Sequence, residues 1–171
     1  MEFGKHAIFA LVTNKHGVLM RISGLFSKRG YNIDNLSVGR TENPEISRMT
    51  IVVDCEIELL EQIVQQLKKL VDVVAVSVAN SHKCVARELM LVKIHHDTDD
   101  RALLEAINVF RGRVVDMATE SVVIEITGEY DKLDAFINYV SKFGIIEMSR
   151  TGLTALDRGS ASLLTNADMT D

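Results

Sequence analysis

The stretch that decides the fold is His6–Gly30, HAIFALVTNKHGVLMRISGLFSKRG. Its first seven residues are nearly all apolar, and so short an apolar run is typical of a buried strand. The polar turn Asn14–Gly17 interrupts the run, and a helical pattern follows in which apolar residues recur at intervals of three and four from Val18 to Phe26. Arg29-Gly30 ends the pattern, because a basic residue followed by glycine is common at helix C-termini. The stretch therefore predicts a strand followed by a helix.

The remainder of the first half continues this alternation of elements. The sequence predicts a strand at Asn32–Gly39, a turn at Thr41–Pro44, an alternating strand at Ser47–Cys55, a helix at Leu60–Val71 and a last strand at Val73–Ala79. In the last of these, Val74, Val76 and Val78 alternate with Ala and Ser. The order of elements in the first half is β-α-β-β-α-β.

The second half repeats the same order. The sequence predicts a strand at Arg87–His95, a helix at Asp99–Phe110, and two strands at Gly112–Ala118 and Ser121–Thr127. A helix capped by Asp131 and a last strand at Ile145–Ser149 follow. The apolar faces of its two helices are assigned to Leu103, Leu104, Ile107 and Phe110, and to Leu133, Phe136, Ile137 and Val140. The expected fold is α+β, with two tandem ferredoxin-like βαββαβ domains.

The expected boundaries are residues 1–80 for the first domain, 85–159 for the second, and 160–171 for a frayed tail. A polar break at 80–84 separates the two patterns. Domains of about 80 residues are small, so pairing of domains or subunits would stabilise them. The first strand is apolar on both sides, which suggests a buried contact with a second copy of the chain.

The composition excludes several functional classes. A net charge of −5 and an aromatic content of 5% argue against broad binding to nucleic acid or to an anionic membrane. The two cysteines do not form a disulfide framework, and no apolar stretch of signal-peptide length follows the first residues. We therefore expect a protein of the reducing cytoplasm.

The sequence contains none of the motifs of a phosphate loop, a nucleophile elbow or a zinc protease helix. Cys55 lies on the apolar side of an alternating strand, which favours a buried structural thiol over a nucleophile. His82 with Cys84, and His95-His96-Asp97, lack the four-ligand spacing of a structural zinc site. No catalytic residue and no metal ligand is therefore assigned.

The loop between the first strand and the first helix is the best candidate for a binding site. Helix N-termini carry unpaired N–H groups and partial positive charge, which suits a carboxylate, and Gly17 permits close approach to the backbone. Asn14 and Asn32 are uncharged amides that both donate and accept, and we expect Asn32, at the start of the second strand, to lie beside this loop. The expected apolar wall consists of Val18, Leu19 and Ile33. Spacing alone leaves open that Asn-x-x-Gly is an ordinary turn and that Asn32 only follows a helix cap.

Several separate motifs, taken in order, are characteristic of one family. They are NKHGVLMRISGLFSKRGYNI at 14–33, SRMTI at 47–51, QLKKLVDV at 66–73, RELMLVKI at 87–94, FRG at 110–112 and KLDAF at 132–136. Together they resemble the small subunits of acetolactate synthase, whose N-terminal part is an ACT domain. The resemblance covers essentially residues 5–159.

This resemblance implies a regulatory subunit that is not itself an enzyme. Such subunits bind the catalytic subunit, raise its activity, and confer feedback inhibition by valine or a related branched-chain amino acid. Thiamine diphosphate, Mg and FAD belong to the catalytic partner, and this chain has no cofactor of its own.

The resemblance also implies a homodimer, because the effector in this family lies where two ACT domains meet. The family's effector residues correspond here to Asn14, Gly17, Leu19, Asn32 and Ile33, with the backbone N–H of Val18 as a further carboxylate donor. Met20 stands where other members carry a small hydroxyl residue, so the strength of inhibition is not fixed by the resemblance.

Two other functional classes compete with this interpretation. A free-standing amino-acid sensor of the same fold would bind the amino acid and leave acetolactate synthase unaffected. A small hydrolase of the acylphosphatase type would need an arginine in the first loop to hold phosphate, and this loop offers Lys15 instead.

Overall fold

The computed structural model describes residues 3–80, 83–96, 101–160 and 162–164. The chain divides into two compact units. The first unit extends to Val85 and also includes the segment from Leu153 onward, and the second unit is Ala86–Gly152.

The first unit contains a four-stranded antiparallel sheet in the order β2-β3-β1-β4. Its elements are β1 (Phe3–Thr13), α1 (Val18–Arg29), β2 (Asn35–Arg40), β3 (Ile46–Glu56), α2 (Ile57–Lys68) and β4 (Val73–Val78). The βαββαβ order and this strand arrangement confirm the predicted ferredoxin-like fold.

The core of the first unit lies between the sheet and its two helices. Alternate residues of β1 and β3 point toward the helices, and Ile8, Met49 and Ile51 are at most 1% exposed. Gly30 ends α1 in the left-handed conformation, with φ 70°, and its N–H donates to the carbonyls of Phe26 and Ser27. The predicted glycine cap is therefore confirmed.

The second unit repeats this arrangement, with the strand order β6-β7-β5-β8. Its elements are β5 (Cys84–His95, which begins in the first unit), α3 (Arg101–Val109), β6 (Arg113–Met117), β7 (Ser121–Gly128), α4 (Tyr130–Val140), a 3-10 turn (Ser141–Phe143) and β8 (Ile145–Arg150). Its core includes Met90, Val92, Ile124, Leu133 and Phe136, all at most 1% exposed.

A buried ion pair also stabilises the second unit. Nε and Nη2 of Arg150 donate to the two carboxylate oxygens of Glu88 at 3.0 and 2.6 Å, and Nη1 donates to Asp134 at 2.8 Å. Glu88 is only 4% exposed. Its hydrogen bonds are the main reason that the pKa of Arg150 is raised above its ordinary value.

The described residues after Gly152 lie on the outer face of the first sheet, the side that bears Phe9, Leu11, Ser37, Arg48 and Thr50. The backbone N–H of Leu153 donates to Asn35 Oδ1 at 2.9 Å, and Ser37 Oγ donates to the carbonyl of Leu153 at 2.7 Å. A short strand, β9 (Thr154–Asp157), follows.

This placement differs from the predicted boundaries, because 153–159 group with the first unit and Leu163 in the expected tail is 4% exposed. Residues 161 and 165–171 of that tail lie outside the described residues. Phe9 and Leu11 are buried within the single chain, so the apolar outer side of β1 needs no second copy to cover it.

The predicted second helix ends earlier in the structure, and β4 buries one small residue on its outer face. α2 ends at Lys68 and Val71 is 94% exposed, because the chain turns there into β4. In β4, Ala75 is buried while Val74 is 43% exposed. The pairing of Ala75 with Leu11 explains its burial, since it places Ala75 on the covered outer face.

In the second unit, two helix assignments were wrong. Leu104 is 43% exposed, because Leu103, Ala106 and Ile107 form the buried face of α3. Asp131 lies in the first turn of α4 rather than at the cap, which is Glu129. The predicted start of the third helix at Asp99 lies outside the described residues.

Within the described ranges, no helix is both long and apolar enough to cross a membrane.

Candidate functional site

The loop after β1 is held in place by the turn between β2 and β3. The backbone N–H of Asn14 donates to the carbonyl of Glu45 at 2.7 Å, and its side-chain Nδ2 donates to the carbonyl of Pro44 at 2.8 Å. One half of the Asn14 amide therefore has a structural role. The side-chain carbonyl oxygen of Asn14 takes no part in these two hydrogen bonds. Because Asn14 is exposed, this oxygen can still accept a hydrogen bond.

Gly17 stands at the N-cap of α1 in the left-handed conformation, with φ 81°. Within the described part of the chain no side chain caps the helix, and its first turn contains no acidic residue. The Val18 N–H makes only a long hydrogen bond, 3.4 Å to the carbonyl of Lys15. The positive end of the helix dipole at Gly17 is therefore not neutralised locally and favours an anion.

Arg21 adds a cation at the same end of the helix, and the sequence analysis did not identify it. Its Nη1 would lie 3.3 Å from a Cβ built on Gly17, and its Nε forms an ion pair with Asp72 Oδ2 at 2.6 Å. Thr13 Oγ1 donates to the other oxygen of Asp72 at 3.2 Å. The Arg21 hydrogen bond is the main cause that holds the pKa of Asp72 below its ordinary value.

Only the spacing of Gly17 and Arg21, four residues apart in a helix, could have indicated that the two lie together. Asp72 comes from the loop before β4, and no local pattern connects it to this site.

The predicted apolar wall is not formed by one group of side chains. Val18 is 4% exposed and belongs to the core between sheet and helices. Leu19 is 49% exposed and Met20 is 76% exposed, so both project from α1. Ile33 is half-buried and packs against the core.

Asn32 does not lie beside the first loop, contrary to the prediction. β2 begins at Asn35, so Asn32 belongs to the preceding loop, where its Nδ2 donates to Asp34 Oδ1 at 3.3 Å. Asn35 pairs with Val52 of β3, whereas Thr13, next to Asn14, pairs with Ile46. Six residues of strand separate these two positions, which corresponds to about 20 Å. The two asparagines therefore lie at opposite ends of the first sheet.

The structure describes Cys55 and only part of the candidate histidine and cysteine groups. Cys55 is 4% exposed, as predicted for a structural thiol, and burial, followed by the charge of Asp54, raises its pKa. His82 and Asp97 lie outside the described residues. In the described part of the chain, no three His, Cys, Asp or Glu side chains are grouped closely enough to hold a metal ion.

Comparison with known proteins identifies the family. Residues 8–75 match the model for the "AHAS small subunit-like ACT domain", and residues 87–159 match the model for the "Small subunit of acetolactate synthase". The probable acetolactate synthase small subunit of Methanothermobacter thermautotrophicus is 44% identical over 165 residues, which cover 95% of this chain and 98% of that protein. This chain belongs to the acetolactate synthase small subunit family.

Other members of the family support the same assignment. The acetolactate synthase small subunit of Mycolicibacterium smegmatis is 45% identical over 155 residues, covering 90% of this chain and 91% of that protein. The crystal structure of the small subunit from Thermotoga maritima superimposes with a TM-score of 0.85 at 37% identity, covering 92% of this chain and 99% of that one. The predicted family and the predicted tandem fold are therefore confirmed.

Proposed function

We propose that this small subunit is a non-catalytic regulator, which binds the catalytic subunit of acetolactate synthase, raises its activity and makes it sensitive to a branched-chain amino acid. Support comes from membership of the family over both units and from the ACT domain at 8–75. Thiamine diphosphate, Mg and FAD are assigned to the catalytic partner.

The observation that carries the effector proposal is the uncapped N-terminus of α1 at Gly17, with Arg21 beside it. A ligand carboxylate would be stabilised there by the helix dipole and by the guanidinium group. The ammonium group of an amino acid would find an acceptor in the carbonyl oxygen of Asn14. The exposed side chain of Leu19 would contact an aliphatic side chain, for which valine is the first candidate.

The distance between Asn14 and Asn32 supports a site shared by two copies of the chain. Within one chain the two residues are about 20 Å apart, so one amino acid cannot contact both. β2 is an edge strand of its sheet. Antiparallel pairing of two such edges about a two-fold axis would bring the Asn32 end of one copy to the Asn14 end of the other. The homodimer would then contain two equivalent effector sites.

The coupling that regulation requires is modest. A tenfold change in the activity or affinity of the catalytic subunit corresponds to only about 1.4 kcal/mol of coupling free energy. A few contacts that differ between two arrangements of the dimer are sufficient.

The test is acetolactate formation by the catalytic subunit of the same organism, with and without this chain, during a valine titration. Activation that valine reverses is the expected result. If a saturating amount of the chain leaves the catalytic subunit unaffected, the regulatory proposal fails. Valine binding to the chain in that case would favour the free-standing sensor. Leucine and isoleucine titrations would identify the preferred effector.

A further inference from the structure

A cavity of about 740 Å³ lies within the first unit, between the outer face of its sheet and the C-terminal segment. Its volume is in the range of small-molecule sites in proteins, about 300–1,000 Å³. Leu11, Ala155 and Leu163 contribute apolar surface, and Ser37, Arg48 and Thr50 contribute polar groups. None of these residues belongs to the first loop or to the loop that contains Asn32.

Arg48 is the unusual residue of this cavity. Its guanidinium carbon lies 4.9 Å from the centre of the Phe9 ring, in a cation–π contact that fixes the side chain on the outer face. Its Nε and Nη2 atoms are buried, and they donate no hydrogen bond to any residue that the structure describes. Buried charged donors without a partner are costly, and native proteins rarely leave them unpaired.

The carboxylates near Arg48 do not provide this partner. Burial lowers the pKa of the Arg48 guanidinium, and the negative charges of Asp157 and Glu42 oppose that effect. Neither carboxylate is among the described ion pairs, so both act through space. A guanidinium group nevertheless stays charged at neutral pH.

In Arg150, the corresponding pair of nitrogens does have a partner. Nε and Nη2 of Arg150 form a fork that holds both oxygens of the Glu88 carboxylate. Two parallel N–H groups match the geometry of a carboxylate, and bidentate pairs of this kind are among the strongest hydrogen-bonded contacts. Arg48 presents the same fork, buried and without a carboxylate from the described residues.

We propose that Arg48 binds the carboxylate of a small organic acid inside this cavity, at a site separate from the amino-acid site proposed at Gly17. The apolar surface of Leu11 and Leu163 receives the aliphatic part of the ligand. Glu42 and Asp157 also line the cavity, so an α-amino acid gains an additional contact for its ammonium group. The shared chemistry is a carboxylate on a short aliphatic body.

The test follows the arginine Nε–H resonances of the full-length ¹⁵N-labelled chain during separate titrations with isovalerate and L-valine. The expected result is a saturable shift of the Arg48 resonance. The Arg150 resonance is the internal control and should stay constant, because Glu88 already occupies its fork. A response to both probes identifies a carboxylate site, and a response to valine alone identifies an amino-acid site. No saturable shift with either probe overturns the proposal.

Two substitutions separate binding at Arg48 from indirect effects. Arg48→Met keeps an unbranched apolar side chain over Phe9, and Arg48→Lys keeps the charge but lacks the fork, so each provides a folded variant if the other does not. By calorimetry, each should weaken binding of the responding probe at this site by about tenfold or more. Unchanged affinity in either variant would contradict the assignment. Gly17→Asp should leave the Arg48 response intact, which distinguishes this site from the effector site.

Discussion

The substitution Gly17→Asp tests the proposed carboxylate position most directly. Gly17 has φ 81°, and a Cβ at this position would lie 3.3 Å from Nη1 of Arg21. An aspartate carboxylate would therefore occupy the space beside the helix N-terminus and pair with the guanidinium group that we assign to the ligand. Gly17→Asn is the matched control, because it has nearly the same shape and tolerates the left-handed conformation, but carries no charge.

The expected magnitude follows from the spacing of the charges. Two carboxylates about 4 Å apart repel each other by about 4 kcal/mol at an effective dielectric constant of 20. We expect pairing with Arg21 to offset about half of this. The remaining 2 kcal/mol or so corresponds to valine binding about 30-fold weaker in Gly17→Asp than in Gly17→Asn. Both variants should lose a similar stability, about 1 kcal/mol, because both place a side chain at positive φ.

Isothermal titration of L-valine into the full-length chain measures this difference, and thermal denaturation of the same samples checks that both variants fold. Equal affinities in the two variants would refute the reasoning, since the charge would then be irrelevant and the ligand carboxylate would not lie at the start of α1. Tight valine binding by Gly17→Asp would exclude the loop as the effector site.

Three further substitutions have defined outcomes. Asn32→Ala should weaken valine binding. Because the Asn32 side chain is exposed, the free energy of unfolding should change by less than about 0.5 kcal/mol. Loss of the cooperative thermal transition would instead indicate that Asn32 is a structural cap. Glu88→Gln should lower the free energy of unfolding in urea by about 3 kcal/mol, because it leaves the half-buried Arg150 incompletely paired. Glu129→Gln, which removes a charge from an exposed ion pair, is the control and should lower it by less than about 1 kcal/mol. Equal losses in the two variants would contradict the assigned burial. Arg111 has φ 54°, so Arg111→Gly should raise the free energy of unfolding by about 0.5 kcal/mol; a decrease would show that the arginine side chain stabilises the fold.

The order of elements could be predicted because each element carries its own periodicity. In His6–Gly30, an apolar run, a polar turn and a helical pattern follow one another, and Gly30 supplies the left-handed residue that ends α1. The errors occurred where local patterns are ambiguous. Val71 continues the apolar spacing of α2, but the chain has already turned toward β4, and its side chain is 94% exposed.

The sequence predicted which residues belong to the candidate site, but not how these residues are arranged in space. Asn14, Gly17 and the helix N-terminus are contiguous in sequence, and the structure keeps them together. Asn32 was placed beside them, but strand pairing puts it about 20 Å away at the other end of the sheet. The predicted effector residues can therefore surround one ligand only if two copies of the chain contribute.

By itself, the sequence determined the two βαββαβ patterns, the glycine cap of α1 and the family, since these depend on residues that are close together in the chain. Only the tertiary structure decided that Arg21 pairs with Asp72, that the described residues after Gly152 cover the outer face of the first sheet, and that Arg48 lies half-buried in the cavity beneath them. Each of these contacts joins parts of the chain that are distant in sequence. Local conformational preferences do not encode them, because they arise when apolar faces are buried against one another and polar groups must then find partners.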